Sequence, residues 1–120
     1  MPREEILGLD GRITIRDDRT LATAMIERIE AIKAEAERRI LAVAPLHKQL
    51  NAQARATELL LLRVDGAAWT TTEAAEAAAL QAMRDAILAI RVASNDAEAL
   101  VRAARANDGV DAVAPAWPEP

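Results

Sequence analysis

The chain has 120 residues and a formal net charge of −4, and 52% of it is apolar. A chain this short holds one domain at most. It has no cysteine, so neither a disulfide framework nor thiolate chemistry is open to it. Arg38-Arg39 is its only adjacent basic pair, flanked by Glu35 and Glu37. The basic face that phosphate binding requires is missing, which disfavours nucleic acid as a partner.

The kind of apolar residue matters more than its share. Alanine supplies 29 residues, Phe and Tyr are absent, and Trp69 and Trp117 are the only aromatics. Alanine favours helix strongly but buries little area, whereas a fully buried Leu, Ile, Val or Met stabilises by roughly 1.5–3 kcal/mol. High helix propensity with little core volume points to slender helical pairs that complete their core against a neighbour. No stretch approaches the roughly 18 apolar residues that span a bilayer. Met1-Pro2-Arg3-Glu4-Glu5 lacks the charged-then-apolar pattern of a signal peptide. A soluble, cytoplasmically made protein with no membrane partner is therefore expected. Charge is uneven: residues 1–66 carry 11 Lys/Arg and 11 Asp/Glu, while residues 67–120 carry 4 and 8.

In chain order, residues 1–18 read as an N-terminal arm or β-hairpin. Asp10-Gly11 between Ile6-Leu7-Gly8-Leu9 and Arg12-Ile13-Thr14-Ile15 is a two-residue turn signal. Ile13 and Ile15 alternate with polar residues as in a half-buried strand, although an irregular extended arm fits the same residues. A hairpin so short is marginal in water and must lie on the helices or on another chain.

A helical segment is expected over residues 19–64. Asp17, Asp18 and Thr20 offer an N-cap, and Ala22, Met25, Ile29, Ile32, Ala36, Ile40 and Val43 recur at helical spacing. Pro45 forces a kink, or a break at which a new helix opens. The stripe is then expected to continue through Leu46, Leu50, Ala54, Leu61 and Val64, with Leu59 to Leu62 buried on more than one face. Gly66 fits a left-handed cap.

A second helix is expected over residues 70–106. Thr70 and Glu73 form a capping box, with Trp69 placed as a hydrophobic staple that covers the helix junction. Leu80, Met83, Ile87, Ile90, Ser94, Ala97, Val101 and Ala104 make a coiled-coil seam, and Ser94-Asn95-Asp96 is a place for it to bend. Residues 107–120 read as a flexible C-terminal tail, since Asn107-Asp108-Gly109 stops the helix and Pro115, Pro118 and Pro120 prevent another. The expected fold is all-α: an elongated kinked helical hairpin or coiled-coil bundle that homo-oligomerises, a trimer being one arrangement its seams allow.

Chemistry is hard to find. His47 is the only histidine, without the partners that catalysis or metal ligation needs, and reads as structural or, less readily, as a pH switch. The acids at Glu4-Glu5, Asp17-Asp18, Glu35 and Glu37 fit solvated surface better than a desolvated general acid. The glycines are single, so no phosphate-cradling loop is present. No catalytic, cofactor-binding or metal residue is assigned, and an enzyme is not expected. The candidate interaction residues are Ile13, Ile15, Leu80, Met83, Ile87, Ile90, Val101 and Trp117. Trp117, between two prolines, either anchors a partner or folds back on the bundle.

Five stretches carry a resemblance. They are Glu35-Ala36-Glu37-Arg38-Arg39-Ile40, Ala44-Pro45-Leu46-His47-Lys48-Gln49-Leu50-Asn51, Ala54-Arg55-Ala56-Thr57-Glu58-Leu59, Thr72-Glu73-Ala74-Ala75-Glu76 and Ala89-Ile90-Arg91-Val92-Ala93-Ser94-Asn95. In this order, across about residues 27–100, they resemble the helical region of tail-fibre, fibre-associated and fibre-assembly proteins of tailed bacteriophages and prophages. That family often has a large aromatic where His47 stands, and carries a longer N-terminal module in place of the arm. The resemblance implies a structural virion component at a fibre or baseplate attachment, made in the host cytoplasm, with other tail or fibre proteins as partners. A non-virion chaperone for fibre assembly, or a small helical regulatory adaptor, is the alternative.

Overall fold

The computed structural model describes residues 18–119, together with the backbone of residues 3–7 and 13–17. The fold is an elongated all-α rod with a long axis of 79 Å and cross-sections of 23 and 20 Å. Four helices lie in the described residues: α1 (Leu21–Val43), α2 (Leu46–Val64), α3 (Thr71–Ala103) and the short α4 (Asn107–Asp111). The arm has backbone segments β1 (Arg3–Leu7) and β2 (Ile13–Asp17) in antiparallel register. The expected turn at Asp10-Gly11 and the side chains of Ile13 and Ile15 lie outside the described residues, and the helical packing is accounted for without them.

Local chemistry sets the helix ends. Thr20 caps α1, its hydroxyl accepting from the Thr23 amide at 3.1 Å. Pro45 breaks the rod instead of kinking it. Ala44 leaves α1 in an extended conformation, Pro45 becomes the N-cap of α2, and the Gln49 side-chain amide donates to the Ala44 carbonyl at 2.8 Å. The break keeps the proline ring from clashing with the carbonyl of the preceding turn, and the Gln49 amide satisfies the Ala44 carbonyl that the break leaves outside the helix. At the far end of α2, Gly66 takes φ +84°, and Ala67 and Gly66 donate back to Leu62 and Arg63 at 3.1 and 3.0 Å. This is the Schellman closure for which glycine is suited. The capping box is present: the Thr70 amide donates to Glu73 Oε1 at 2.9 Å, and the Glu73 amide to Thr70 Oγ1 at 3.1 Å. Thr70→Ala should therefore cost about 1 kcal/mol, read as a lowered midpoint in urea unfolding with an unchanged slope.

α3 is the spine. α1 and α2 run one after the other, antiparallel to it, α1 along its C-terminal part and α2 along its N-terminal part. No bend occurs at Ser94, contrary to expectation. Its hydroxyl donates to Glu98 Oε2 at 3.1 Å, so the side chain is satisfied one turn ahead on its own helix and does not compete with the backbone. Glu98, itself buried, is held further by Lys33 at 3.6 Å and Arg102 at 3.7 Å.

The core sits at one end. Ala24 and Ile32 of α1, Ala97 and Val101 of α3, and Val110 form its buried centre, with Leu21, Met25, Ile29, Ala104, Val113 and Trp117 around them. Two expectations are corrected here. α3 ends at Ala103, and the segment beyond Asn107 is no loose tail. The Asn107 side chain donates to the Arg19 carbonyl at 2.8 Å, Arg19 pairs with Asp111 at 2.8 Å, and Arg28 donates to the Val113 carbonyl at 2.6 Å. Val110 is 0% exposed and the Arg39 guanidinium lies 4.9 Å from the Trp117 ring centroid. The prolines stop a long helix, but an extended strap needs none.

The second correction concerns α2. The stripe Leu46, Leu50, Ala54, Leu61 and Val64 was expected to face inward, and all five are exposed, Leu61 at 59% and Val64 at 80%. The face turned to α3 is Gln49, Ala52, Arg55, Ala56 and Leu59. Of the four consecutive leucines only Leu59 is buried. Breaking the helix at Pro45 uncouples the phase of α2 from that of α1, and contacts with α3 then set it. The Trp69 indole donates to the Leu59 carbonyl at 2.8 Å, the Arg63 guanidinium lies 4.6 Å from the Trp69 ring centroid, and Arg55 pairs with Glu76.

Candidate functional site

The two halves of the rod differ in completeness. Where α1, α4 and the C-terminal strap meet α3 they enclose a buried centre, whereas α2 and the first half of α3 enclose an open groove of about 850 Å³. Ala52, Ala56 and Leu59 line one wall; Leu80, Met83 and Ile87 line the other. Small alanines keep the helices close but leave no side chain large enough to fill the space between them. The outer face of α2 adds Leu46, Leu50, Leu61 and Val64 beside this groove. A further shallow cleft of about 530 Å³ follows α3, where Leu88, Val92 and Leu100 stand exposed next to Ala114, Ala116 and Pro118.

The predicted interaction residues divide accordingly. Leu80, Met83 and Ile87 come together half-buried in the groove. Ile90 and Val101 do not belong with them: both are buried, and Val101 sits in the centre of the chain's own core at 0% exposure. α1 and the strap cover that stretch of the seam, so it has no free face for a partner. Trp117 is likewise committed to the chain's own core, the fold-back alternative for that residue. Ile13 and Ile15 lie outside the described side chains. His47 is exposed on α2.

Sequence reasoning missed the outer faces. Leu46, Leu50, Leu61 and Val64 form one stripe in the sequence, but a stripe reveals which residues share a face and not which way it turns. Leu88 and Val92, four apart with Leu100 two turns on, form a second stripe that the stronger seam of α3 concealed.

The ion pairs hold helices in register, and Arg55, Glu58 and Glu76 stand outside the lining of the groove. The Arg55 guanidinium bridges from α2 to Glu76 on α3, with Glu58 on its own helix at 3.0 Å. Hydrogen bonding from Arg55 holds the Glu76 carboxyl below its ordinary range, and Glu76 followed by Glu58 raises Arg55 in turn. On α1, hydrogen bonds from Arg38 and then Arg39 similarly depress Glu35. A carboxyl depressed in the folded state stabilises it above the unfolded pKa, about 4.3 for glutamate, and loses that effect as pH falls through the folded value. Glu76→Gln should thus lower the melting temperature at neutral pH. The difference from wild type should shrink in acid and vanish once both folded and unfolded carboxyls are protonated. A difference independent of pH would assign the loss to packing.

Among the described residues no three His, Cys, Asp or Glu side chains come together in a way that would hold a metal ion. No helix there is long and apolar enough to cross a membrane. What the arrangement offers is apolar surface on a rigid frame. Compared with protein-family models, with curated proteins and with solved structures, the chain gives no match in any of the three.

Proposed function

We propose that the chain is a non-catalytic structural component of a phage-like tail, at a fibre or baseplate attachment. In this reading it is made in the host cytoplasm and retained in the virion, and it works through helix-mediated contacts with other tail or fibre proteins and with copies of itself. The observation that carries the protein-binding part is the outward stripe of α2, Leu46, Leu50, Leu61 and Val64, all exposed on a helix closed at its C-terminus by Gly66. Contiguous apolar surface on a rigid element marks an interaction site. The tail setting is supported by the resemblance of the ordered helical stretches across residues 27–100. An N-terminal β-hairpin closing at Asp10-Gly11, with Ile13 and Ile15 on one face, would add a contact to a neighbouring chain.

Purified particles should contain the protein at a fixed stoichiometry, measured by quantitative mass spectrometry, and washing in high salt should not remove it. Its presence in lysate and consistent absence from particles would contradict the assignment. A soluble complex with a fibre protein, lost on maturation, would instead identify an assembly chaperone.

A further inference from the structure

Among the described residues, Arg84 and Arg91 are the only charged ones lining the α2–α3 groove. Both are exposed, and neither has an ion-pair partner among the described residues. They are seven residues apart on one face of α3, about 10.5 Å along the helix. An apolar trough with two unneutralised cations on its rim fits an amphipathic helix that carries two acids at the same spacing.

The chain itself presents such a helix. On the outer face of α1, Ile26, Glu30, Ala34, Glu37 and Leu41 fall at successive four-, four-, three- and four-residue steps, within a narrow arc, and all five are exposed. Glu30 and Glu37 are seven apart, and neither has an ion-pair partner among the described residues. The other acids of α1 are engaged: Glu35 with Arg38 and Arg39, and Glu27 with Arg19. Ile26 and Leu41, 58% and 44% exposed, bracket the acidic pair and supply the apolar ends that the groove would receive.

We infer that the α2–α3 groove receives the outer face of α1 from a second copy of this chain, with Glu30 and Glu37 registered on Arg84 and Arg91. α1 lies along the C-terminal part of α3 and the groove along its N-terminal part. Two rods side by side in opposite directions therefore bring each α1 beside the other's groove. A two-fold arrangement makes both contacts at once, the closed form expected of an isologous dimer. This inference rests on the protein-binding reading above and deepens it by naming one occupant.

Charge reversal tests it on the full chain by sedimentation velocity across a range of concentrations. Arg84→Glu with Arg91→Glu leaves two acidic surfaces, and Glu30→Arg with Glu37→Arg leaves two basic ones. Each double variant alone should associate about 100-fold or more weakly than wild type, since like charges face each other across the contact. An equimolar mixture of the two variants should recover association, because every acid then again meets a base. All four positions are exposed, so helix content and melting of the monomers should change little, and circular dichroism checks that directly. Double variants that associate as wild type does, or a mixture that stays dissociated, would overturn the inference. So would a wild-type chain that remains monomeric. Contact with a foreign partner would still stand in each of those cases, since it is judged by the particle measurement, and an acidic helix of another protein bound to a monomeric chain would be its signature.

Discussion

Removing residues 107–120 should destabilise the chain by about 3–5 kcal/mol, the burial of one Val and much of one Trp with smaller neighbours. Val110 is fully buried, Val113 and Trp117 pack around the same centre, and the strap covers Val101, Ala97 and Ala24. The deletion also strips the carbonyl that accepts from Arg28 and the acid that pairs with Arg19. Total stability for a domain is only about 5–15 kcal/mol, so the truncated chain should melt far lower and less cooperatively. Urea unfolding followed at 222 nm checks this, and a truncation with wild-type stability would restore the picture of a free tail.

Ile32→Ala should cost about 2–5 kcal/mol, concentrated in the same end of the rod. Ile32 is 1% exposed and lies among Ala24, Ala97 and Val101. Alanines cannot move in to fill the space that a missing isoleucine leaves, so the cavity persists and its cost is added to the lost transfer energy. The same truncation at Leu61, out in solvent on α2, should change the stability of the isolated chain by less than about 0.5 kcal/mol. Chemical denaturation of the two variants side by side separates an internal core position from a surface one. Equal losses at the two sites would mean that the exposed stripe of α2 is covered in solution.

The elements themselves were legible in the sequence. Thr70 with Glu73, Gly66 and Pro45 are local signals whose consequences are fixed within one or two turns, and each acts as its chemistry requires. The seam of α3 was legible for the same reason, since Ile90, Ala97 and Val101 recur at coiled-coil steps. Orientation was not. Leu46, Leu50, Leu61 and Val64 look identical in sequence whether they face a core or water, and the phase of α2 depends on Arg55 meeting Glu76 across the turn and on Trp69 folding back onto Leu59. The C-terminal strap was hidden in a similar way, because Pro115 and Pro118 signal the absence of helix and carry no information about packing. The charged rim of the groove becomes visible only once α2 has been placed against α3.

Sedimentation equilibrium of the purified full-length chain, with an apolar dye as reporter, tests the central claim most directly: that the α2–α3 half is unfinished in isolation. The account predicts reversible self-association as concentration rises, with dye binding falling as the groove is covered. A chain that stays monomeric throughout, melts in one sharp transition and binds no dye would contradict it.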